Sequence, residues 1–315
     1  MKRLLLIDGM NMFIRNYVMS PQLDGNGNPI GGVTGFLRSL QKEVRNAKPD
    51  KVVVAWEGPG GSQRRKEKNK NYKAGRKPPR LNREYEFATP EAERENKYEQ
   101  LMRLTEYLDQ IPILQMSLEH VEADDVIAWL CNSNEYKDWQ KLIISSDRDF
   151  IQLCDDRTIL LRPGKHGEVL NRKSVIDNYG IHPRNFAVAR AIAGDKSDNL
   201  PGVPGLGLKT VAKRFPFLSE EQDYTIPEVL HHAKENKNNL KIFQKVLDNE
   251  GIISENYDIM QLYTSTISAQ GISKLKYAIE NDGRNFDRIE IKRLLARDGI
   301  PTLHLEDLLL AVKSH

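Results

Sequence analysis

Apolar runs of four to six residues, several of them closed by a carboxylate, alternate with stretches of helical spacing over about the first 165 residues. Leu4 to Ile7 is continuous, and Asp8 follows it. Lys51 to Trp56 (KVVVAW) precedes Glu57, and Lys141 to Ser145 precedes Asp147 and Asp149. Short, uniformly apolar runs predict strands covered on both faces, as in a parallel sheet. Pro112 to Leu118 and Arg157 to Leu161 predict two more strands, and Gly9 and Asn11 predict a turn after the first.

Between the runs, Val33, Phe36, Leu37, Leu40 and Val44 form one helical stripe in Val33 to Ala47. Thr89, Pro90, Glu91 and Glu93 make a helix start, with a cap, a first-position proline and acids at the positive end. That helix is expected to reach about Asp109, with Tyr98, Leu101, Met102, Leu104, Tyr107 and Leu108 as its apolar stripe. Glu122 to Asn132 predicts another helix, and a short one follows Asp149. Strand–helix alternation of this kind predicts a parallel α/β sheet. After Asn171 the strand signal stops. Helices are expected over Ser174 to Tyr179, Pro183 to Ala193, Leu208 to Phe215, Ile226 to Glu235, Lys241 to Leu247, Tyr257 to Ser265, Ile272 to Glu280, Asp287 to Ala296 and Leu305 to Val312.

Composition changes this picture little. Hydrophobic residues at 39% and charged residues at 29% fit a globular protein, and a net charge of +3 announces no globally basic, nucleic-acid-coating chain. Cys131 and Cys154 make neither a disulfide framework nor a CxxC metal pattern. With no signal-peptide core and no apolar stretch near the ~20 residues of a membrane span, a cytoplasmic protein is expected.

The distribution of charge says more. Ser62 to Arg83 holds ten Lys or Arg and one acid, Glu67, and offers almost nothing to a core. It reads either as a solvated loop or as a phosphate-contacting segment. Tyr72 beside Lys73 suits single-stranded nucleic acid, where backbone charge and base stacking act together. Gly202 to Gly207 is a glycine-rich hairpin running into a helix with Lys209, Lys213 and Arg214. It reads as a phosphate site or as a plain helix–turn–helix.

Nine carboxylates stand at strand ends, beside helix starts or in glycine-flanked turns: Asp8, Glu57, Glu122, Asp124, Asp125, Asp147, Asp149, Asp195 and Asp198. Asp8 taken alone could be a helix cap. Glu122 and Asp125, three apart, share a helix face. Acids at the carboxyl ends of strands point into the crevice of an open α/β sheet. So many like charges need cations, and all-oxygen ligands suit Mg²⁺ or Mn²⁺. Two such ions suit an in-line phosphodiester displacement.

The order of these pieces resembles the 5′ nuclease family of phage 5′–3′ exonucleases, flap endonucleases and the nuclease domain of bacterial DNA polymerase I. The matching residues are Asp8-Gly9, Tyr72-Lys73-Ala74-Gly75-Arg76, Glu122 to Asp125, Ser145 to Phe150 and Gly194 to Thr210. The last three motifs together are highly specific. The resemblance implies a PIN-like, mostly parallel α/β domain over residues 1–170, with a helical arch inserted at 61–100. A helical region over 171–315 would carry a helix–three-turn–helix motif, with a duplex-binding hairpin at 194–215. It implies two Mg²⁺ or Mn²⁺ ions: one at Asp8, Glu122, Asp124 and Asp125, the other at Asp147, Asp149 and Asp198 with Asp195 beside them. Lys73 and Asp147 would be catalytic. Arg64, Arg65 and Arg76 would contact phosphate and Tyr72 would stack on a base. Gly202, Gly205, Gly207, Lys209 and Thr210 would hold the duplex backbone, with K⁺ on the carbonyls of Val203 and Leu206. Where many members have FDG, this chain has Trp56-Glu57-Gly58, so Glu57 is expected at the metals with a longer reach.

The expected activity is metal-dependent 5′–3′ exonuclease and flap cleavage, with RNase H activity on RNA–DNA hybrids as an extension. Expected substrates are flaps, forks and nicked duplexes, cut by a monomer in the cytosol of a bacterium or phage-infected host, in contact with replication proteins. No polymerase domain follows, so a stand-alone nuclease is expected. The rival readings are a compact PIN-type RNase and a non-catalytic structure-specific DNA-binding protein.

Overall fold

The structure, a computed structural model, describes residues 1–76, 80–81, 85–164, 167–263, 266–283 and 286–300. The expected helix Leu305 to Val312 and residues 77–79 and 82–84 of the basic segment lie outside these. The strands are β1 (Arg3–Asp8), β2 (Lys51–Ala55), β3 (Leu114–Met116), β4 (Gln140–Ile144), β5 (Thr158–Arg162) and β6 (Glu168–Leu170). They form one sheet in the order β3-β2-β1-β4-β5-β6. The first five are mutually parallel, and β6, which the sequence pattern did not predict, runs antiparallel to β5.

Helices α1 (Gly9–Met19), α2 (Gly31–Ala47), α3 (Gln63–Lys68), α4 (Pro90–Asp109) and α5 (Ala123–Asn132) connect the parallel strands. After the sheet come α6 (Arg172–Tyr179), α7 (Phe186–Ala193), α8 (Leu208–Arg214), α9 (Ile226–Asn236), α10 (Lys241–Asp248), α11 (Glu250–Met260), α12 (Ala269–Glu280) and α13 (Arg288–Arg297). One sheet face and helices α5 to α12 share a continuous apolar core, running from Leu4 and Ile143 through Val188 and Val211 to Leu275. The other face packs under α1, α2 and α4 through Ile7, Phe13, Phe36, Leu40 and Leu104. No described helix is long and apolar enough to cross a membrane.

Three expectations need correction. No turn follows Asp8: Gly9 opens α1 directly, and Asp8 caps it by accepting the Asn11 N–H. In α4, Tyr98 and Met102 are exposed, while the polar Asn96 and Gln100 are buried. Gln100 bonds the Gly32 N–H and the Pro29 carbonyl, which ties α4 to the start of α2. The helix expected over Tyr257 to Ser265 is instead α11, ending at Met260. Its buried stripe is Ile253, Asn256, Ile259 and Met260, and an amide in the middle hides the apolar period. Asn256 donates to the carbonyls of Ala191 and Pro201 and so ties α11 to α7 and the loop beyond it.

Candidate active site

The strand order reverses direction between β1 and β4, and in open α/β sheets ligands bind outside the carboxyl ends at such a switch point. Asp8 ends β1 there. Ser145 follows β4, donates its Oγ–H to Asp8 Oδ2 at 2.9 Å and accepts the Asp147 N–H at 3.1 Å. Asn11 exchanges hydrogen bonds with the Ser146 hydroxyl and N–H across the same gap. Asp147 in turn accepts the Asp149 N–H at 2.8 Å, at the start of a short 3₁₀ turn. The loop bearing Asp195 and Asp198 is closed by paired bonds between the backbones of Asp195 and Leu200. Its neck needs two glycines. Gly194 has φ +75°, and a Cβ on it would lie 2.2 Å from the Gly202 nitrogen. One on Gly202 would meet the Ala193 oxygen at 2.1 Å.

Two residues of the basic segment, Arg65 and Tyr72, leave solvent altogether, while most of its other described cations stay exposed. Arg65 is buried, its guanidinium forked onto Asp125 at 2.9 and 3.2 Å and lying 2.7 Å from Glu122. Tyr72, expected as a stacking ring, is buried against Leu200, Ile259 and Met260, with its hydroxyl donating to Glu122 at 3.3 Å. Lys73 Nζ bonds Glu122 at 2.9 Å, and Arg76 pairs with Asp198. Arg64 donates to the Thr266 carbonyl at 2.9 Å. A segment rich in cations folds onto the carboxylates because those are the charges that need neutralising.

The remaining expected residues fall elsewhere. Glu57 is exposed and accepts the Ser62 hydroxyl at 2.9 Å. Ser62 also bonds Glu122, and Glu57 acts on Lys73, so it stands at the edge of the Glu122 cluster. Val203 and Leu206 bury their side chains, and the Leu206 N–H donates to the Val203 carbonyl. Gly205 and Gly207 are exposed before α8, with Lys209 exposed and Thr210 half-buried on its first turns. Arg190 escaped the sequence reading. It is buried and bridges Asp149, at 2.9 Å, and Asp195. A single arginine inside the apolar run FAVARAIA was the available signal.

The cations divide the acids into two groups. Burial alone would raise Glu122, but Arg65 and Lys73 outweigh it and hold it below its ordinary value. Asp195 is held low against burial by Ser197 and Arg190. Burial pushes Asp8 up to about 6, with Asp147 adding to the rise against hydrogen bonds from Asn11 and Ser145. Burial and then Asp147 push Asp149 up to about 7 despite Arg190. Asp124 stands well above the ordinary value through burial, then Asp147, Asp8 and Glu122. Burial also raises Asp198, against the pull of Arg76 and Lys73.

Among the described residues, no three acidic, imidazole or thiol side chains already converge around an ion position. The donor chemistry nevertheless fits one. Asp8, Asp124, Asp147 and Asp149 are mutually repelling, oxygen-only and undercompensated, which is the demand a hard divalent cation meets.

The family model for the 5′–3′ exonuclease N-terminal resolvase-like domain matches residues 3–180. The chain belongs to the 5′–3′ exonuclease family. Among curated relatives, a 5′-3′ exonuclease of Buchnera aphidicola is 31% identical over 212 residues, covering 66% of this chain and 68% of that protein. The thermostable DNA polymerase I of Thermus thermophilus is 34% identical over 212 residues, 67% of this chain but only 23% of its own length. The match thus spans about a quarter of the polymerase relatives. Two solved structures from T5 share the fold of this family member. One is a 5′-exonuclease with bound divalent zinc, at TM-score 0.66 and 18% identity, covering 94% of this chain and 99% of that one. The other is a flap endonuclease in a pseudo-enzyme-product complex with DNA and metal ions, at TM-score 0.64 and 17% identity, covering 98% and 99%.

Proposed function

We propose that the protein is a divalent-metal-dependent 5′ nuclease that cuts near the junction of single and double strands, releasing 5′-ended pieces from flaps, forks and nicked duplexes. The observation that carries the reading is the set of undercompensated carboxylates at the β1/β4 switch point, beside Lys73 on a basic segment. Family membership supplies the reaction class, and the DNA and metal ions of the T5 relative agree with it.

Asp8, Asp124, Asp147 and Asp149 would hold Mg²⁺ or Mn²⁺, with Asp195 and Asp198 at the rim. Ions bound there supply activation of the attacking water and neutralise the scissile phosphate. Ser145 and Asn11 fix the ends of β1 and β4, so the acids need little rearrangement. Lys73, docked on Glu122 at the edge of this group, would turn its ammonium toward the scissile phosphate. Arg76 leaves Asp198 for the same substrate. Exposed Lys209 and the turn of Gly205 and Gly207 hold the duplex by its backbone, so RNA–DNA hybrids are accepted too. In this reading the protein acts as a cytosolic monomer beside replication proteins, with K⁺ on the Val203 and Leu206 carbonyls.

The test is a 5′-labelled flap duplex incubated with Mg²⁺ and, separately, with a chelator. Metal-dependent release of short labelled products supports the proposal. Tight flap binding without cleavage in Mg²⁺ or Mn²⁺ would favour a non-catalytic DNA-binding protein.

A further inference from the structure

Arg65 occupies the acidic motif in a way that no phosphate-contacting arginine could. Nη1 and Nη2 grip Asp125 at 2.9 and 3.2 Å, Nη1 also lies 2.7 Å from Glu122, and Nε donates to the Ile259 carbonyl of α11 at 2.9 Å. All three nitrogens are engaged, and the residue is 9% exposed. Both Asp125 oxygens are taken as well. A divalent ion on Asp125 would have to share those oxygens with a buried guanidinium of like sign, which its desolvation makes costly.

Asp124, the next residue, stands differently. Successive helical residues point about 100° apart. The Asp124 carboxylate makes no hydrogen bond or ion pair among the described residues, and its strongest charged neighbours are Asp147 and Asp8.

Building on the nuclease reading above, we infer that the acidic motif divides its labour: Asp124 faces the metals, whereas Asp125 is a tether that holds Arg65 and through it the root of the basic segment. Arg65 and Asp125 are positioning residues. The pair locks α3 onto α5, and its bond to Ile259 locks both onto α11. Lys68 with Asp258 at 3.1 Å and Arg64 with the Thr266 carbonyl continue that seam. Glu122, shared by Arg65, Tyr72 and Lys73, links the seam to the reacting end of the segment. Holding Glu122 and the segment root fixed is what lets Lys73 and Arg76 move without unravelling their base.

The experiment uses the full chain and two readouts that do not depend on cleavage of DNA: Mn²⁺ affinity by electron paramagnetic resonance, and the rate of tryptic cutting within residues 63–76. Asp124→Asn should weaken Mn²⁺ binding at least tenfold and leave tryptic cutting as in wild type. Asp125→Asn should leave Mn²⁺ affinity within threefold and speed tryptic cutting at least fivefold. Removing one partner of a buried pair can prevent folding, so Asp125→Leu with Arg65→Met is the second variant, because an apolar replacement of both charges is tolerated far better. It too should keep Mn²⁺ affinity within threefold. Loss of Mn²⁺ binding in the Asp125 variants comparable to that of Asp124→Asn would overturn the inference, as would unchanged tryptic cutting in Asp125→Asn. Because Asp124→Asn tests the metal site itself, unaltered Mn²⁺ affinity in that variant would instead count against the nuclease reading.

Discussion

Lys73 Nζ lies 2.9 Å from Glu122 Oε1 while its own backbone N–H is held by the Asp198 carbonyl, also at 2.9 Å. One residue therefore joins the Glu122–Asp125 motif to the loop of Asp195 and Asp198, with its two partners 76 positions apart (198 minus 122). It does so from a left-handed backbone, φ +55°, that a lysine rarely adopts.

Lys73→Ala should slow the chemical step by about 10²–10³-fold, the range for removing one charge-stabilising donor. Flap binding should weaken by less than about tenfold. Single-turnover rates and equilibrium binding separate the two, and an unchanged single-turnover rate would remove Lys73 from the reaction.

Tyr72 makes the opposite prediction from a base-stacking ring. Its burial among Leu200, Ile259 and Met260 means that Tyr72→Ala should destabilise the fold by about 3–5 kcal/mol. Tyr72→Phe, which loses only the hydroxyl bond to Glu122, should cost about 1 kcal/mol. Denaturant melts measure both. A variant with wild-type stability but weakened single-strand binding would restore the stacking role.

The acids at the switch point should make the metal-free protein pH-sensitive. Asp8 rises from 3.8 to about 6 and Asp149 to about 7, so the folded state keeps protons that the unfolded chain has already released. Stability from these groups is therefore full below about pH 4 and is lost as pH rises toward 7. Glu122 and Asp195, held low, act in the opposite sense and lose stability only below the ordinary carboxylate range. The Tm difference between wild type and Asp8→Asn in chelator isolates the Asp8 contribution. It should shift against wild type from pH 5 to 7 and flatten in saturating Mg²⁺, because metal binding displaces the protons. A difference that moves in wild type's favour would contradict the sign.

Much of this was legible in the sequence. Uniform apolar runs such as KVVVAW predict parallel strands because both faces are covered, and acids just past them predict the crevice. The Thr89-Pro90 helix start was equally readable, since Thr89 caps α4 at the Ala92 N–H. The errors have a common physical cause. Asn96, Gln100 and Asn256 are buried polar residues satisfied by distant carbonyls, and an apolar-periodicity argument cannot see a partner tens of residues away. The same blindness hid the fate of the basic segment. Ten cations without apolar neighbours left a solvated loop and a phosphate-contacting segment open, yet Arg65 is buried on Asp125, sixty residues downstream, and Tyr72 against Leu200, Ile259 and Met260. Glu57 was expected at the metals by its position in the motif; it bonds the Ser62 hydroxyl, which also bonds Glu122.

Asp147 stands among Asp8, Asp124 and Asp149 and raises all three, so it is the charge on which the site turns. Asp147→Asn should relieve repulsion, and the metal-free variant should melt at or above the wild-type temperature. The decisive measurement is single-turnover cleavage of a 5′-labelled flap by wild type and Asp147→Asn in Mg²⁺, with binding of the same flap followed in parallel. The account predicts metal-dependent cleavage by wild type, loss of cleavage by about 10³-fold or more in the variant, and near-equal binding by both. Equal cleavage by the two proteins in Mg²⁺ would contradict it.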